Sequence, residues 1–209
     1  MHDQAKAFTI FVANNFPEHF SNKVVLDVGS GDINGNNRML FDEACNYTGN
    51  DVVEAPNVTI VSKTKDLPFG AGHFDTIVST ECFEHDPEYE QSFQKIYDML
   101  KPGGLFCFTC ASTGRPEHGT RRTSPQDSYG TIGNLEDMFD YYKNLTREDL
   151  DNVLQLDSSF SGWKSYFNGE TCDLYFVGIK RASGAATPMP EYVGPHVVET
   201  TTTSINAHL

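Results

Sequence analysis

Residues 23–36 read KVVLDVGSGDINGN. Val24, Val25 and Leu26 form a continuous apolar run, Asp27 closes it, and Gly29-Ser30-Gly31 turns the chain. An uninterrupted apolar strand ending in glycines is the opening of a βα unit in a parallel sheet, whose strands are covered on both faces. Glycines there let the backbone approach a ligand and adopt dihedrals that a side chain forbids. A dinucleotide turn, G-x-G-x-x-G, is not met, because Asn34 holds its third position and Gly35 comes one residue late. The acid two residues before the first glycine, Asp27, fits a different ligand.

Working outward, Phe8, Phe11, Val12 and Phe16 recur at helical spacing before Pro17. A short helix is predicted over 38–44 and a second strand over 47–53, with Asp51 near its end. Residues 58–61 read as a third strand. Asp66-Leu67-Pro68-Phe69 then leads into a fourth strand over 74–79. Asp86-Pro87-Glu88 is a good helix start, from N-cap, first-position proline and first-turn acid. Tyr89, Phe93, Ile96, Tyr97 and Leu100 give that helix its buried stripe. Lys101-Pro102-Gly103-Gly104 ends it and turns into a fifth strand over 105–111.

Residues 112–144 form a long glycine- and proline-rich connection, with a short helix predicted over 135–142. Thr146-Arg147-Glu148-Asp149 is a capped helix start. Strands over 160–167 and 171–180 flank Asn168-Gly169, a hairpin signal. From 182 to 209 the chain holds no Lys or Arg and is rich in Thr, Ala and Pro, so a flexible, dispensable tail is expected.

D-V-G-S-G at Asp27–Gly31, Asn50-Asp51, L-P-F…F-D and L-K-P-G-G, in that order, resemble the motifs of the class I S-adenosylmethionine-dependent methyltransferases. The resemblance covers residues 23–180. It implies a Rossmann-like α/β fold with a seven-stranded, mostly parallel sheet, a C-terminal antiparallel hairpin and helices on both faces. It further implies S-adenosyl-L-methionine as cofactor, held by Asp27, Gly29, Ser30, Gly31, Asp51 and Thr80, with Asp51 accepting the ribose hydroxyls. Lys63 stands where many members carry an adenine-contacting acid, so that contact is left unassigned. Asp86-Pro87-Glu88-Tyr89 looks like the D-P-P-Y of amino-methylating DNA enzymes, but it follows the fourth strand too late and lacks the second proline. The loop 113–122 looks like one in bacterial and phage methyltransferases of unassigned substrate, often suspected of acting on sugars.

The formal net charge of −14 repels phosphate backbones, so no nucleic-acid partner is expected. No run is long enough to span a membrane and no leader is visible, so a cytoplasmic location is expected. Of the five cysteines, Cys107 and Cys110 make a C-x-x-C, but on a strand they point to opposite faces and cannot share an ion. No metal is expected.

A methyl acceptor with a hydroxyl gains from a base, and reactive groups in such sheets gather beyond the carboxyl ends of the strands. The candidates are Glu81, Glu84 and His85 after the fourth strand and Glu117 and His118 after the fifth; for each the alternative is a surface or capping residue. His85 ranks first for its titration near neutrality, then His118. Arg115, Arg121 and Arg122 suit an anionic acceptor or, equally, the protein's own acids. Methyl transfer to a hydroxyl or carboxylate of a small polar, anionic or sugar-like acceptor is the expected function. A silent cofactor-binding partner subunit and a nicotinamide-dependent oxidoreductase are the alternatives. Oligomeric state is not read from the sequence.

Overall fold

The computed structural model describes residues 2–184 and 186–201. Its sheet comprises β1 (Val24–Val28), β2 (Asn46–Asp51), β3 (Ile60–Val61), β4 (Phe74–Thr80), β5 (Leu100–Ala111), β6 (Phe160–Asn168), β7 (Asp173–Lys180) and β8 (Val197–Glu199). Their order is β3-β2-β1-β4-β5-β7-β6-β8. Strands β1 to β5 pair in parallel, while β7 runs against β5 and β6 runs against both β7 and β8. The predicted mostly parallel sheet with its antiparallel pair is present, with eight strands where seven were expected.

Side chains alternate across this sheet as its period of two requires. Val25, Val78, Cys107, Tyr175 and Val177 face one core with Phe8 and Val12 of α1 (Asp3–Asn15). Leu26, Ile77, Phe106, Phe108, Cys110 and Phe176 face the other. That second core is covered by Phe93 and Ile96 of α2 (Tyr89–Met99) and by Leu150 and Leu154. Cys107 and Cys110 are thus buried on opposite faces, as their spacing predicts, and all five cysteines are free thiols.

Several boundaries move. The helix expected over 38–44 is a single 3-10 turn, Arg38–Leu40. Asp32 accepts from Gly35 N and Asn36 Nδ2, Asn36 accepts from Arg38 N, and Asp42 accepts from Asn22 N and Ala44 N. Such side-chain bonds compete with a helical ladder. Asp86 accepts from Glu88 N and Ser92 Oγ, so α2 begins at Tyr89, one turn after the expected cap. The Lys101–Gly104 segment lies inside β5 rather than before it, with Gly103 at φ +77° beside a register shift against β4. Asn168 pairs with Asp173, so the hairpin closes through 169–172 instead of a two-residue turn.

Within 112–144 the helix is α3 (Tyr129–Ile132), and the stretch expected as helix over 135–142 is turns and extended chain. Further on, α4 (Arg147–Leu154) carries the predicted capping box between Thr146 and Asp149. It is followed by α5 (Leu156–Ser159).

The expectation of a flexible tail does not describe residues 186–201. Val197–Glu199 extends the sheet as β8, Tyr192 packs its ring on Phe8 and Phe11, and Tyr166 donates its hydroxyl to Pro190 O. Polar composition concealed three anchors, Met189, Tyr192 and Val197, each joining the α1 core. Residues 202–209 lie outside the described residues. No helix among the described residues is long and apolar enough to cross a membrane.

Candidate active site

A cavity of about 210 Å³ opens beyond the carboxyl ends of β1, β2, β4 and β5. Open parallel sheets place ligands there because adjacent loops splay apart at that edge. Every residue predicted to hold the cofactor lines it: Asp27, Gly29, Ser30, Gly31, Asp51 and Thr80. So do His85, His118 and Arg115.

The glycine turn is held by the protein itself. Gly29 has φ +67°, and a Cβ there would meet Cys82 Sγ at 2.5 Å. A Cβ on Gly31 would meet the Tyr129 ring at 2.2 Å and Asp51 Oδ2 at 2.8 Å. Asp51 accepts from Gly31 N at 3.0 Å and Val52 N at 2.7 Å, and burial pushes its carboxyl up despite them.

Asp27 is fully buried and its two oxygens accept from Asn37 Nδ2 at 3.0 Å and the Tyr47 hydroxyl at 2.5 Å. Burial drives its carboxyl up to about 6, although both donors favour the charged form. Asp27 therefore acts on the cavity wall by orienting Asn37, which also donates to Thr80 Oγ1 at 3.3 Å. Asn37 Oδ1 is buried without a hydrogen-bond partner among the described residues, on a side chain that lines the cavity.

A second group belongs to the same cavity. His85 and His118 rings lie 5.0 Å apart at 88°, and the Tyr142 ring is 5.7 Å from His85 and 5.0 Å from His118. Glu84 is fully buried beneath them, 3.9 Å from His118 Nε2, and does not line the cavity itself. Burial therefore excludes the alternative of a surface residue for Glu84 and His85. It also pushes the His85 imidazole down to about 3, away from the neutral titration expected of it. The 3-10 turn Phe83–His85 carries both residues, and Glu81, at φ +53°, aims the chain into it from the end of β4.

The arginines separate. Arg115 reaches the cavity but donates to Asp173 Oδ1 at 3.1 Å and Thr171 O. Arg121 pairs with Asp140 and lies over the Phe139 ring, while Arg122 pairs with Glu117 and Asp140 O. Both are more than half exposed, with side-chain accessibilities of 56% and 54%, and neither lines the cavity. The protein's own acids take them, which is the second of the two roles open to them from sequence. Glu117 is likewise an ion-pair and loop residue.

Sequence reasoning missed Asn37, Cys82, Tyr129 and His2, all on the cavity wall. No local pattern marks them. Tyr129 comes from the long connection, which also supplies Arg115, His118, Asp127, Ser128, Gly130 and Met138 to that wall.

His2, beside the N-terminus of α1, closes the cavity from a further side. Its Nε2 is 2.8 Å from Asp173 and 3.5 Å from Glu81. Burial alone would lower its pKa, but hydrogen bonds and charge from Asp173 and Glu81 outweigh it and raise the group to about 10. A folded pKa above the unfolded value of about 6.5 means stabilisation that is complete below about pH 6.5 and lost as pH rises toward 10. His2→Ala should lower stability by about 2 kcal/mol at pH 6, leaving buried Asp173 short of a partner. The gap between parent and variant in urea melts should close by about pH 10; a pH-independent gap would mean that packing, not charge, holds His2.

Residues 2–155 match the family model described as a methyltransferase domain. The fold and site define a Rossmann-like methyltransferase, and the chain belongs to that methyltransferase-domain family. Among curated proteins it is similar to phosphoethanolamine N-methyltransferase 2 of Caenorhabditis elegans, 36% identical over 53 residues. That match spans 25% of this chain and only 12% of the relative. One similar solved structure is the Burkholderia thailandensis 1,6-didemethyltoxoflavin-N1-methyltransferase, bound to 1,6-didemethyltoxoflavin and S-adenosylhomocysteine. Its TM-score is 0.58 at 17% identity, covering 86% of this chain and 79% of that one. Another is phosphoethanolamine N-methyltransferase 2 of Haemonchus contortus, with TM-score 0.58 at 14% identity, over 84% of this chain and 53% of that one. Family membership sets aside the nicotinamide-dependent alternative.

Proposed function

We propose that this protein transfers the methyl group of S-adenosyl-L-methionine to a hydroxyl or carboxylate of a small polar, sugar-like acceptor. The observation that carries this is one cavity lined by the glycine turn, Asp51, His85 and His118 together. The residues fit the cofactor: Asp51 presents a carboxylate for ribose hydroxyls, and Asn37 Oδ1 and Thr80 meet the methionine end. The bound cofactor supplies an already activated methyl group, so the chain's task is to align the acceptor and keep water out. The connection 112–144, of which Arg115, His118, Tyr129 and Met138 line the cavity, forms the acceptor's cover. His85 and His118, which line the cavity above buried Glu84, receive the acceptor's reactive oxygen and lower the cost of removing its proton.

An acceptor with an anionic group beyond the reacting one has little support, because Arg121 and Arg122 are off the cavity and Arg115 and Lys63 are already paired. Asp51, Glu81 and Asp86 line the cavity with Asp27. That acidic lining favours a second reading, transfer to an amine nitrogen of a cationic acceptor.

Incubation with methyl-labelled cofactor and a panel of sugars, sugar nucleotides, small acids and amines, read by mass, tests both readings. Base-labile product marks a carboxylate, stable product a hydroxyl or amine. Cofactor binding without turnover on any class would favour the silent partner subunit instead. Asp51→Ala should weaken cofactor binding by about 1–3 kcal/mol, measured by calorimetry; parent-like affinity would put the ribose elsewhere.

A further inference from the structure

We infer that Glu84, His85 and His118 bind one divalent transition-metal cation of the zinc class at the wall of the methyl-transfer cavity. The inference deepens the proposed function by naming what occupies the cluster, and its first observation is proximity. The three side chains offer one ligand atom each, all within 4.8 Å of one another.

Unpartnered donors are the second observation. Glu84 is 0% exposed, and neither of its oxygens has a hydrogen-bond partner among the described residues. A buried carboxylate that stays charged without a partner costs several kcal/mol, so Glu84 is either held protonated or faced by a cation, and a cation would also engage the donors around it. His85 Nδ1 and the Tyr142 hydroxyl are also buried without partners, and both rings touch His118. Four orphaned polar atoms around one point are far from the usual satisfaction of buried groups.

The third observation fixes a tautomer. His118 Nδ1 lies 3.1 Å from Pro116 O. A carbonyl only accepts, so Nδ1 carries the proton and donates it there. In the neutral ring, Nε2 is then left with its lone pair, and it faces Glu84 Oε1 at 3.9 Å. Two acceptors face one another across a gap too long for a hydrogen bond. It is short enough for both atoms to reach one ion through bonds of about 2.0–2.2 Å. A backbone carbonyl on the far nitrogen is also how metal-binding histidines are oriented.

Packing holds the second histidine in place. A Cβ on Gly119, at φ +67°, would meet His85 Cε1 at 2.5 Å, so the ring lies flush on the loop backbone. Two imidazoles and one carboxylate suit Zn(II), Co(II) and their neighbours, and three protein ligands leave positions open. His85 and His118 line the cavity, so those positions lie on the acceptor's side. The other candidate cluster, His2, Glu81 and Asp173, is already neutralised by Arg115 and by its own ion pairs. The cysteine spacing that argues against a metal from sequence concerns neither group.

The test uses the whole protein, chelator-treated and free of cofactor, so that its outcome is independent of whether methyl transfer occurs. Titration with Co(II) should show one equivalent bound, with visible absorption that Zn(II) displaces. Glu84→Gln and His118→Ala should each weaken binding at least tenfold, while His2→Ala should leave it unchanged. X-ray absorption on the zinc-loaded parent, which needs no variant to fold, should find two imidazoles and oxygen. Failure to bind Co(II) at about 1 mM, unchanged binding by His118→Ala, or a zinc shell with sulfur or fewer than two imidazoles would overturn the assignment.

Discussion

Gly31→Val is expected to weaken S-adenosylmethionine binding by about 100-fold or more, roughly 2.7 kcal/mol, while leaving a folded protein. The Cβ alone would stand 2.2 Å from the Tyr129 ring and 2.8 Å from Asp51 Oδ2. Neither neighbour can yield without consequence. Tyr129 belongs to the loop that walls the cavity and donates its hydroxyl to Asp32 O, and Asp51 also accepts from Gly31 N. Relief of the clash therefore displaces the proposed ribose acceptor, the loop or both. The glycine turn sits at the end of β1, outside both apolar cores, so the sheet should survive. Calorimetry on Gly31→Ala, Tyr129→Ala and the double variant measures the coupling. If Tyr129 is the obstacle, the double variant should recover much of the affinity that Gly31→Ala loses. Parent-like binding by Gly31→Val would place the cofactor away from this turn.

Truncation after Ser183 is expected to cost roughly 3–5 kcal/mol of stability, from several apolar side chains at about 1.5–3 kcal/mol each when fully buried. Tyr192 stands between Phe8, Phe11 and Tyr166, at ring separations of 5.2, 4.9 and 5.8 Å. Its removal opens the α1 core to water and strips Tyr166 of Pro190 O and Tyr192 N. It also deprives β6 of its outer neighbour β8 and of the Lys164–Glu199 pair. An uncovered strand edge invites pairing with another chain. Urea melts should show a lower midpoint, and light scattering should show association at concentrations where the parent is dispersed. Replacing Tyr192 alone with Ala should reproduce a substantial part of the loss. An unchanged midpoint in both variants would mean that the segment adds nothing to the core.

What the sequence by itself determined is whatever short-range pattern encodes. Apolar runs located strands β1, β4 and β5, the βα order located β2, and the order of the D-V-G-S-G, N-D, L-P-F and K-P-G-G motifs pointed to the family. The odd spacing of Cys107 and Cys110 sufficed to put them on opposite faces, because strand geometry is periodic whatever the neighbours. The capping box at Thr146 is equally local. Tertiary structure decided the rest, since the deciding partners lie far apart in the chain. Arg121 and Arg122 read equally as an anion grip or as partners of the protein's own acids, and the fold brought Asp140 beside them. Asp27 reads from sequence as a cofactor contact, and only the fold shows Tyr47 and Asn37 on its oxygens at the cavity wall. The tail read as flexible because its composition is polar, yet packing against Phe8 and β6 outweighs composition when a few aromatic and aliphatic side chains meet a prepared face. Most of all, nothing in the order of residues reveals that Glu84 has no hydrogen-bond partner among the described residues. Burial and satisfaction are properties of an assembled surrounding, and only the folded chain supplies one.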